Sequence, residues 1–419
     1  MIELNSKNRN GLPKDWHWIE VKNIAESIQY GYTESSSKEK VGPKFLRITD
    51  IQNGDVLWNA VPYCPIDADN KEKYLLKVGD LLFARTGATV GKSYLVKGNI
   101  PESVFASYLI RVRFKKGIID KYIYNYFQSL YYWQQITDGQ VGIGQPNVNG
   151  TKLGLLVVPM APLNIQQQIV SKIEELFSEL DKGVEELKTA QRQLKVYRQA
   201  VLKWAFEGRL TNEGVKDGEL PDGWKRIELK DACIIKRGKS KHRPRNEPSL
   251  FGGKYPFIQT GDIRNANGCY ISTFTQTYSE QGLQQSKLWP KGTLCITIAA
   301  NIGETAILNF DACFPDSVVG LISKEEVLLT KYTNYFFIFY KSKLEEMAPA
   351  TAQKNINVDI LEKVKVPLCS IEEQHQIVQE IESRLSVCDN IEETITSSLK
   401  QAEALRQSIL KKAFEGKLF

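Results

Sequence analysis

Apolar and polar positions follow two rhythms along this chain, and each rhythm occurs twice. In residues 12–162 and 220–367, short apolar runs are cut by turns. FLRITDIQNGDV (45–56) alternates and then reaches Asn53-Gly54, a dipeptide that favours a tight hairpin. GDLLFARTGATVGKSYLV (79–96) predicts two strands joined by a glycine-rich turn. DKYIYNYFQSLYYWQQI (120–136) sets Tyr122, Tyr126, Leu130 and Trp133 at helical spacing, which predicts one amphipathic helix on the sheet. VGIGQPNVNG (141–150) reads as a loop, and KLGLLVVP (152–159) as a last buried strand stopped by Pro159. The second stretch repeats this order through residues 254–268, 291–308, 331–347 and 351–367.

The other rhythm is helical and long. From Ile165 to about Phe206 there is no proline and one glycine, Gly183. Apolar residues recur every three or four positions, through Ile169, Ile173, Leu176, Leu180, Val184, Leu187, Ala190, Leu194, Tyr197, Val201 and Ala205. The counterpart runs through Ile377, Ile381, Leu385, Cys388, Ile391, Ile395, Ser398, Ala402, Leu405, Ile409 and Ala413. This is coiled-coil periodicity with stutters. Each stripe predicts a rod of about 60 Å at ~1.5 Å per residue, ended by the glycine of Phe-Glu-Gly. A lone rod leaves its stripe in water, so the two are expected to pair with each other, the alternative being two separate helices each lying along its own body.

The two halves are copies. RQAVLKWAFEGRL (198–210) and RQSILKKAFEGKL (406–418) agree at nine of thirteen positions, at an offset of 208. Chance supplies roughly one, so the chain contains an internal duplication. The same offset relates Leu12, Pro13 and Trp16 to Leu220, Pro221 and Trp224, and Asn149 and Pro159 to Asn357 and Pro367. Inside the bodies it slips, with Asp50-Ile51 matching Asp262-Ile263 at 212. The expected organisation is a first body at 1–162, a helical region at 163–210, a polar linker at 211–219, a second body at 220–367 and a second helical region at 368–419. The fold class is α+β: two mixed bodies in pseudo-twofold relation, separated by a long antiparallel coiled coil.

Composition narrows the function classes. The 419 residues suffice for several cores, with 42% hydrophobic content and a net charge of +6. No apolar run reaches eighteen residues and the start carries no secretory signal, so no membrane association is expected. Seven scattered cysteines without a CxxC pair, with three histidines, argue for reduced thiols in the cytoplasm and against zinc. RTGATVGKS (85–93) is one residue short of a phosphate-binding loop, and its duplicate lacks the lysine. PDGWKRIELK (221–230) has the letters of a metal nuclease, but Asp222 becomes Lys14 in the duplicate and the acidic spacing is too compressed. The histidines have no partners across the duplication. No catalytic centre, metal site or cofactor site of the chain's own is expected.

Polar residues at strand ends point to DNA instead. Arg47, Thr49, Gln52 and Asn53, and their analogues Gln259, Thr260, Arg264 and Asn265, are of the types that read base edges. KRGKSKHRPR supplies Arg237, Lys239, Lys241, Arg243 and Arg245 as phosphate contacts. Arg85, Thr86 and Lys92 of the glycine-rich turn join the candidate set. So do Gln145, Asn147, Gln353 and Asn355, whose retention between copies suits a loop or phosphate role better than base reading, and Lys354, which lies between the last two.

Leu-Pro-x-x-Trp opening each body, GATVGK in the first body, PLNIQQQIV (162–170), PLCSIEEQHQIV (367–378) and the AFEG-[RK]-L endings together resemble the specificity subunit of type I restriction–modification systems. The resemblance covers essentially the whole chain. It implies that each body is a target recognition domain reading half of a split, asymmetric duplex sequence. The helices would be a ruler and a docking surface for two methyltransferase (modification) subunits, joined by two restriction (motor-nuclease) subunits. The chain would be non-catalytic, with S-adenosylmethionine, ATP and Mg used by its partners. A coiled-coil scaffold, or a self-contained DNA methyltransferase or nuclease, is the alternative.

Overall fold

The structure is a computed structural model describing residues 12–52, 54–138, 148–216, 218–241, 244, 246–299, 301–348 and 356–419. It divides into two compact units, Met1–Leu187 with Thr396–Phe419, and Lys188–Ile395. Each unit therefore holds one body and a portion of each long helix. No helix among the described residues is long and apolar enough to cross a membrane.

In the first body, β1 (Ala25–Tyr30), β2 (Leu81–Ala84), β3 (Ser93–Leu95) and β4 (Leu109–Phe114) form an antiparallel sheet in the order β1-β4-β2-β3. The central strand β2 is apolar throughout because both of its faces are covered. Leu81 and Phe83 enter the core shared with the tyrosine-rich helices, and Leu82 enters a second cluster on the opposite face. The second body repeats the plan with β5 (Cys233–Arg237), β6 (Leu294–Thr297), β7 (Thr305–Leu308) and β8 (Val318–Ser323), in the order β5-β8-β6-β7. A two-residue strand, Tyr270–Ile271, adds to β7 in parallel. Leu294 and Ile296 again face one cluster and Cys295 the other.

Local expectations fare unevenly. The hairpin is present, with Ile51 opposite Val56, Gln52 opposite Asp55, and Gly54 at φ +74°. The glycine-rich stretch is indeed a turn between antiparallel β2 and β3. The single helix expected over 120–136 is instead two, Asp120–Tyr126 and Leu130–Asp138. The break has a local cause. Both the N–H and the hydroxyl of Ser129 donate to the Tyr126 carbonyl, closing a turn that competes with the helix. Tyr122 and Tyr126 are buried but Leu130 is exposed. The second body keeps one helix there, Thr330–Met347.

The last strand is also shorter than expected. Asn149 caps a helix, Gly150–Leu155, by accepting from the Lys152 N–H at 2.8 Å. The strand is Val157–Met160, and Pro159 lies within it, opposite Trp18 of the entry strand His17–Glu20. A two-stranded ribbon is all edge, which is where proline is tolerated. Asn357 caps Val358–Glu362 in the same way, ahead of Lys365–Leu368 paired with Lys225–Glu228.

The long helices are α1 (Leu163–Phe206) and α2 (Ile371–Phe414), 44 residues each. Each is locked to its own body at its start. Gln374 is fully buried, donating to the carbonyls of Val327 and Cys369 and accepting from the Leu329 N–H. Gln166 donates to the Ala161 carbonyl. Inside the first unit the helix portions run antiparallel: Arg406 reaches Asp181 and lies over Phe177, while Ala413 lies near Ile165 and Ile169. Inside the second, Arg198 pairs with Asp389 at 2.6 Å and Thr211 donates to Glu373 at 2.7 Å. The apolar stripe is buried at both ends, but Tyr197, Ile391 and Leu405 on it are exposed, as stutters in the heptad allow.

The helix ends sit where the expected antiparallel pairing carries them. Phe414, from the second half of the sequence, is buried in the first body, 5.3 and 5.1 Å from the rings of Tyr122 and Tyr126. Phe206, from the first half, is buried in the second body against Tyr332 at 5.1 Å and Phe336 at 5.4 Å. Each body's core is closed by the other half's helix. Gly416 (φ +69°) and Gly208 (φ +77°) then turn the chain. A Cβ on Gly416 would stand 2.2 Å from Pro13 Cγ, and one on Gly208 would stand 2.2 Å from Pro221 Cγ. The retained Leu-Pro-x-x-Trp and Phe-Glu-Gly motifs are thus two sides of one close contact.

Candidate nucleic-acid interface

Strand ends gather at one edge of each body. In the first, the Leu46 carbonyl accepts from the Ala106 N–H, the Tyr32 N–H donates to the Phe105 carbonyl, and the Arg85 N–H donates to the Tyr108 carbonyl. These bonds place Arg47, Tyr32, Tyr108 and Arg85 on one rim, next to Tyr30 at the end of β1. Arg47 is held by Asp50, Nε to Oδ2 at 3.0 Å and Nη2 to Oδ1 at 2.8 Å, and this pairing raises the guanidinium pKa. Asp50 also accepts the Arg47 N–H and caps the short turn Ile48–Asp50. Thr49 lies exposed in that turn, and Gln52 donates to the Thr49 carbonyl. The Arg85 guanidinium lies 5.0 Å from the centre of the Tyr30 ring. Thr86 follows it, half-buried, and Lys92 is exposed at the far end of the turn.

The second body builds the same rim from different side chains. Asp262 accepts the Gln259 N–H at 2.8 Å, as Asp50 does for Arg47, while the Gln259 side chain donates to Gln276 at 2.6 Å. Thr260, Arg264 and Asn265 sit on a helix, Thr260–Ala266, not at a strand end as the sequence suggested. Arg264 and Asn265 are exposed on it. The basic loop is folded down onto its neighbour: Lys241 N–H donates to Gln285 at 2.6 Å, and Ser286 donates to the Lys239 carbonyl at 2.8 Å. This brings in Lys287, which no sequence pattern had singled out. Its Nζ lies 3.8 Å over the Trp289 ring. Partial burial, then the nearby Lys236 and Lys239, pull its ammonium below the ordinary lysine value. A concentration of cations at one edge is the signature of a polyanion surface. Asn53, Gln145, Asn147, Arg243, Arg245, Gln353, Lys354 and Asn355 lie outside the described residues.

The RTGATVGKS turn holds one 3-10 turn, Gly87–Thr89, and then enters strand β3, so it opens no α-helix of the kind that seats a phosphate in a P-loop. Glu228 pairs with Lys230 at 2.5 Å, which lowers its carboxyl pKa. Among the described residues, no group of three or more His, Cys, Asp or Glu could hold a metal ion.

Comparison with known proteins accords with this geometry. A family model described as the type I restriction modification DNA specificity domain matches residues 13–189 and again 221–401. The EcoBI type I restriction enzyme specificity subunit of Escherichia coli is 26% identical over 99% of this chain and 90% of its own length. A structure of HsdS from Thermoanaerobacter tengcongensis aligns over 97% of this chain and 98% of its own, with a TM-score of 0.61 and 20% identity. A chain solved in work on complex assembly and conformational transition of the type I R-M system aligns over 97% and 99%, with a TM-score of 0.77 and 20% identity. With both halves matched by the model, this chain belongs to the type I restriction–modification DNA specificity family, as a specificity subunit with two such domains.

Proposed function

We propose that the two bodies read the two halves of a bipartite, asymmetric duplex sequence, each with its own strand-end rim. One observation carries this reading: the rims share a backbone plan, yet the exposed side chains mounted on it differ. Residues retained between copies, such as Asp50 and Asp262 or Asn149 and Asn357, cap turns and helices. Residues that differ are free to discriminate. On this reading α1 and α2 offer their polar outer faces to two methyltransferase subunits, with two restriction subunits joining that assembly. The chain works in the cytoplasm without chemistry of its own. S-adenosylmethionine serves its methylating partners, and ATP and Mg serve its restricting ones.

The test is to exchange residues 220–367 for the second body of another specificity subunit and map methylated positions in a host supplying the modification subunit. One half of the target should change while the other stays. Alteration of both halves would refute the division of labour. The incoming body must keep aromatic residues at the Tyr332 and Phe336 positions, because Phe206 packs there.

A further inference from the structure

The rims can be aligned bond by bond. In the first body, Gly31 N–H donates to Leu109 O, Tyr32 N–H to Phe105 O, Arg85 N–H to Tyr108 O, and Val148 N–H to Arg85 O, at 2.8–3.1 Å. In the second, Gly238 N–H donates to Val318 O, Lys239 N–H to Phe314 O, Ile298 N–H to Ser317 O, and Ile356 N–H to Ile298 O, at 2.9–3.2 Å. Gly31 and Gly238 are both required, since a Cβ would fall 2.2 Å from Ala106 O and 2.3 Å from Pro315 O respectively. Position 30 therefore corresponds to 237, position 85 to 298, and position 108 to 317.

On this common frame the arginine has moved. In the first body it stands at position 85, after β2, and the matching residue of the second body is Ile298, which is buried. In the second body it stands at position 237, ending β5, and the matching residue of the first body is Tyr30. Each guanidinium is braced by the rim. Arg85 lies on the Tyr30 ring, whose hydroxyl accepts from the Gly150 N–H at 2.9 Å. Among the described residues the buried Nε of Arg85 has no hydrogen-bond partner. Arg237 is exposed and donates Nε to the Asp316 carbonyl. A braced, planar fork is the arrangement that reads guanine O6 and N7 together.

Resting on the DNA-reading function above, we propose that Arg85 and Arg237 are specificity-determining residues, each taking a guanine in its own half of the target. The strands that bear them lie on opposite sides of β4 or β8, two strand spacings or about 9–10 Å apart on the frame. The two bodies thus place their guanine contacts at different steps along otherwise equivalent rims.

The full chain, with its modification subunit, is used to select duplexes from a randomised pool, and the retained sequences are counted. Wild type should yield a two-part motif with a guanine in each half. Arg85→Lys keeps the charge and loses the fork, so preference for one guanine should fall about tenfold or more while the other half is unchanged. Arg237→Lys should do the same to the opposite half. The alanine variants, checked by thermal melting, should show the same base-specific loss. A uniform loss over all sequences, an unaltered guanine preference, or a wild-type half without guanine overturns the proposal. A wild type that selects no sequence at all removes the DNA-reading function and this inference with it.

Discussion

Replacing Phe414 by alanine should loosen the first body, although the residue lies in the second half of the sequence. The ring is 2% exposed and is held edge-on by Tyr122 and Tyr126, in a core that also contains Leu410, Ala413, Ile169 and Ile173. Deleting a buried phenylalanine costs about 3–5 kcal/mol in lost burial and cavity formation. The two edge-to-face pairs add roughly 0.5–1.5 kcal/mol each beyond area, so the upper part of that range applies. In hydrogen exchange this corresponds to opening constants higher by about three to three and a half orders of magnitude in the affected unit. Peptides covering β4 and Asp120–Tyr126 should lose protection, and those covering Thr330–Met347 should not. Phe206→Ala should give the mirror pattern. If Phe414→Ala loosens the second body, or leaves both unchanged, the exchange of helix ends between halves is wrong.

Five further outcomes follow from individual residues. Gly416→Ala should lower the thermal midpoint, because a left-handed backbone costs about 1–2 kcal/mol with a Cβ and Pro13 already occupies the space; Gly183→Ala, inside α1 with nothing within 4 Å, should raise stability by about 0.5–1 kcal/mol instead. Gln374→Leu should cost about 1–3 kcal/mol in urea unfolding by stranding the Leu329 N–H, and an unchanged transition would refute the lock. At pH 8, iodoacetamide should label the exposed Cys269 first. Burial pushes the thiols of Cys64 and Cys233 up to about 11 and that of Cys369 to about 12, with Cys295 higher still, so early labelling of any of these in a native digest would count against the packing. Lys287→Met should reduce the slope of log affinity against log salt by about 0.9, with no change in the bases selected.

Much of the scaffold was legible because its signals are local. The hairpin at Gly54, the β2–β3 turn and the extents of α1 and α2 all follow from short-range pattern. The failures are where tertiary context decides. Ser129 breaks a helix that aromatic spacing would have continued, and Asn149 starts one where the apolar run suggested a strand. The exchange of helix ends is carried by the expected antiparallel pairing alone: RQxxLKxAFEG is nearly the same in both copies, so the motif itself does not say which body it closes. For the rims, residue type drew attention to Arg47 and Gln259, but the sequence could not reveal that Asp50 holds one and Gln276 the other. Lys287 was missed because it reaches the basic loop only through the bonds made by Gln285 and Ser286. Ser317 and Ile298 gain meaning only once the backbone frame aligns them with Tyr108 and Arg85.

The traded helix ends also order events during translation. Phe206 leaves the ribosome before the body it closes, so the second body finds its aromatic plug already waiting as Tyr332 and Phe336 appear. The first body has no such provision. Its tyrosines emerge almost three hundred positions ahead of Phe414, and closing so long a loop is slow. Nascent chains stalled short of residue 414 should therefore carry an incomplete first body, the portion most in need of chaperone cover.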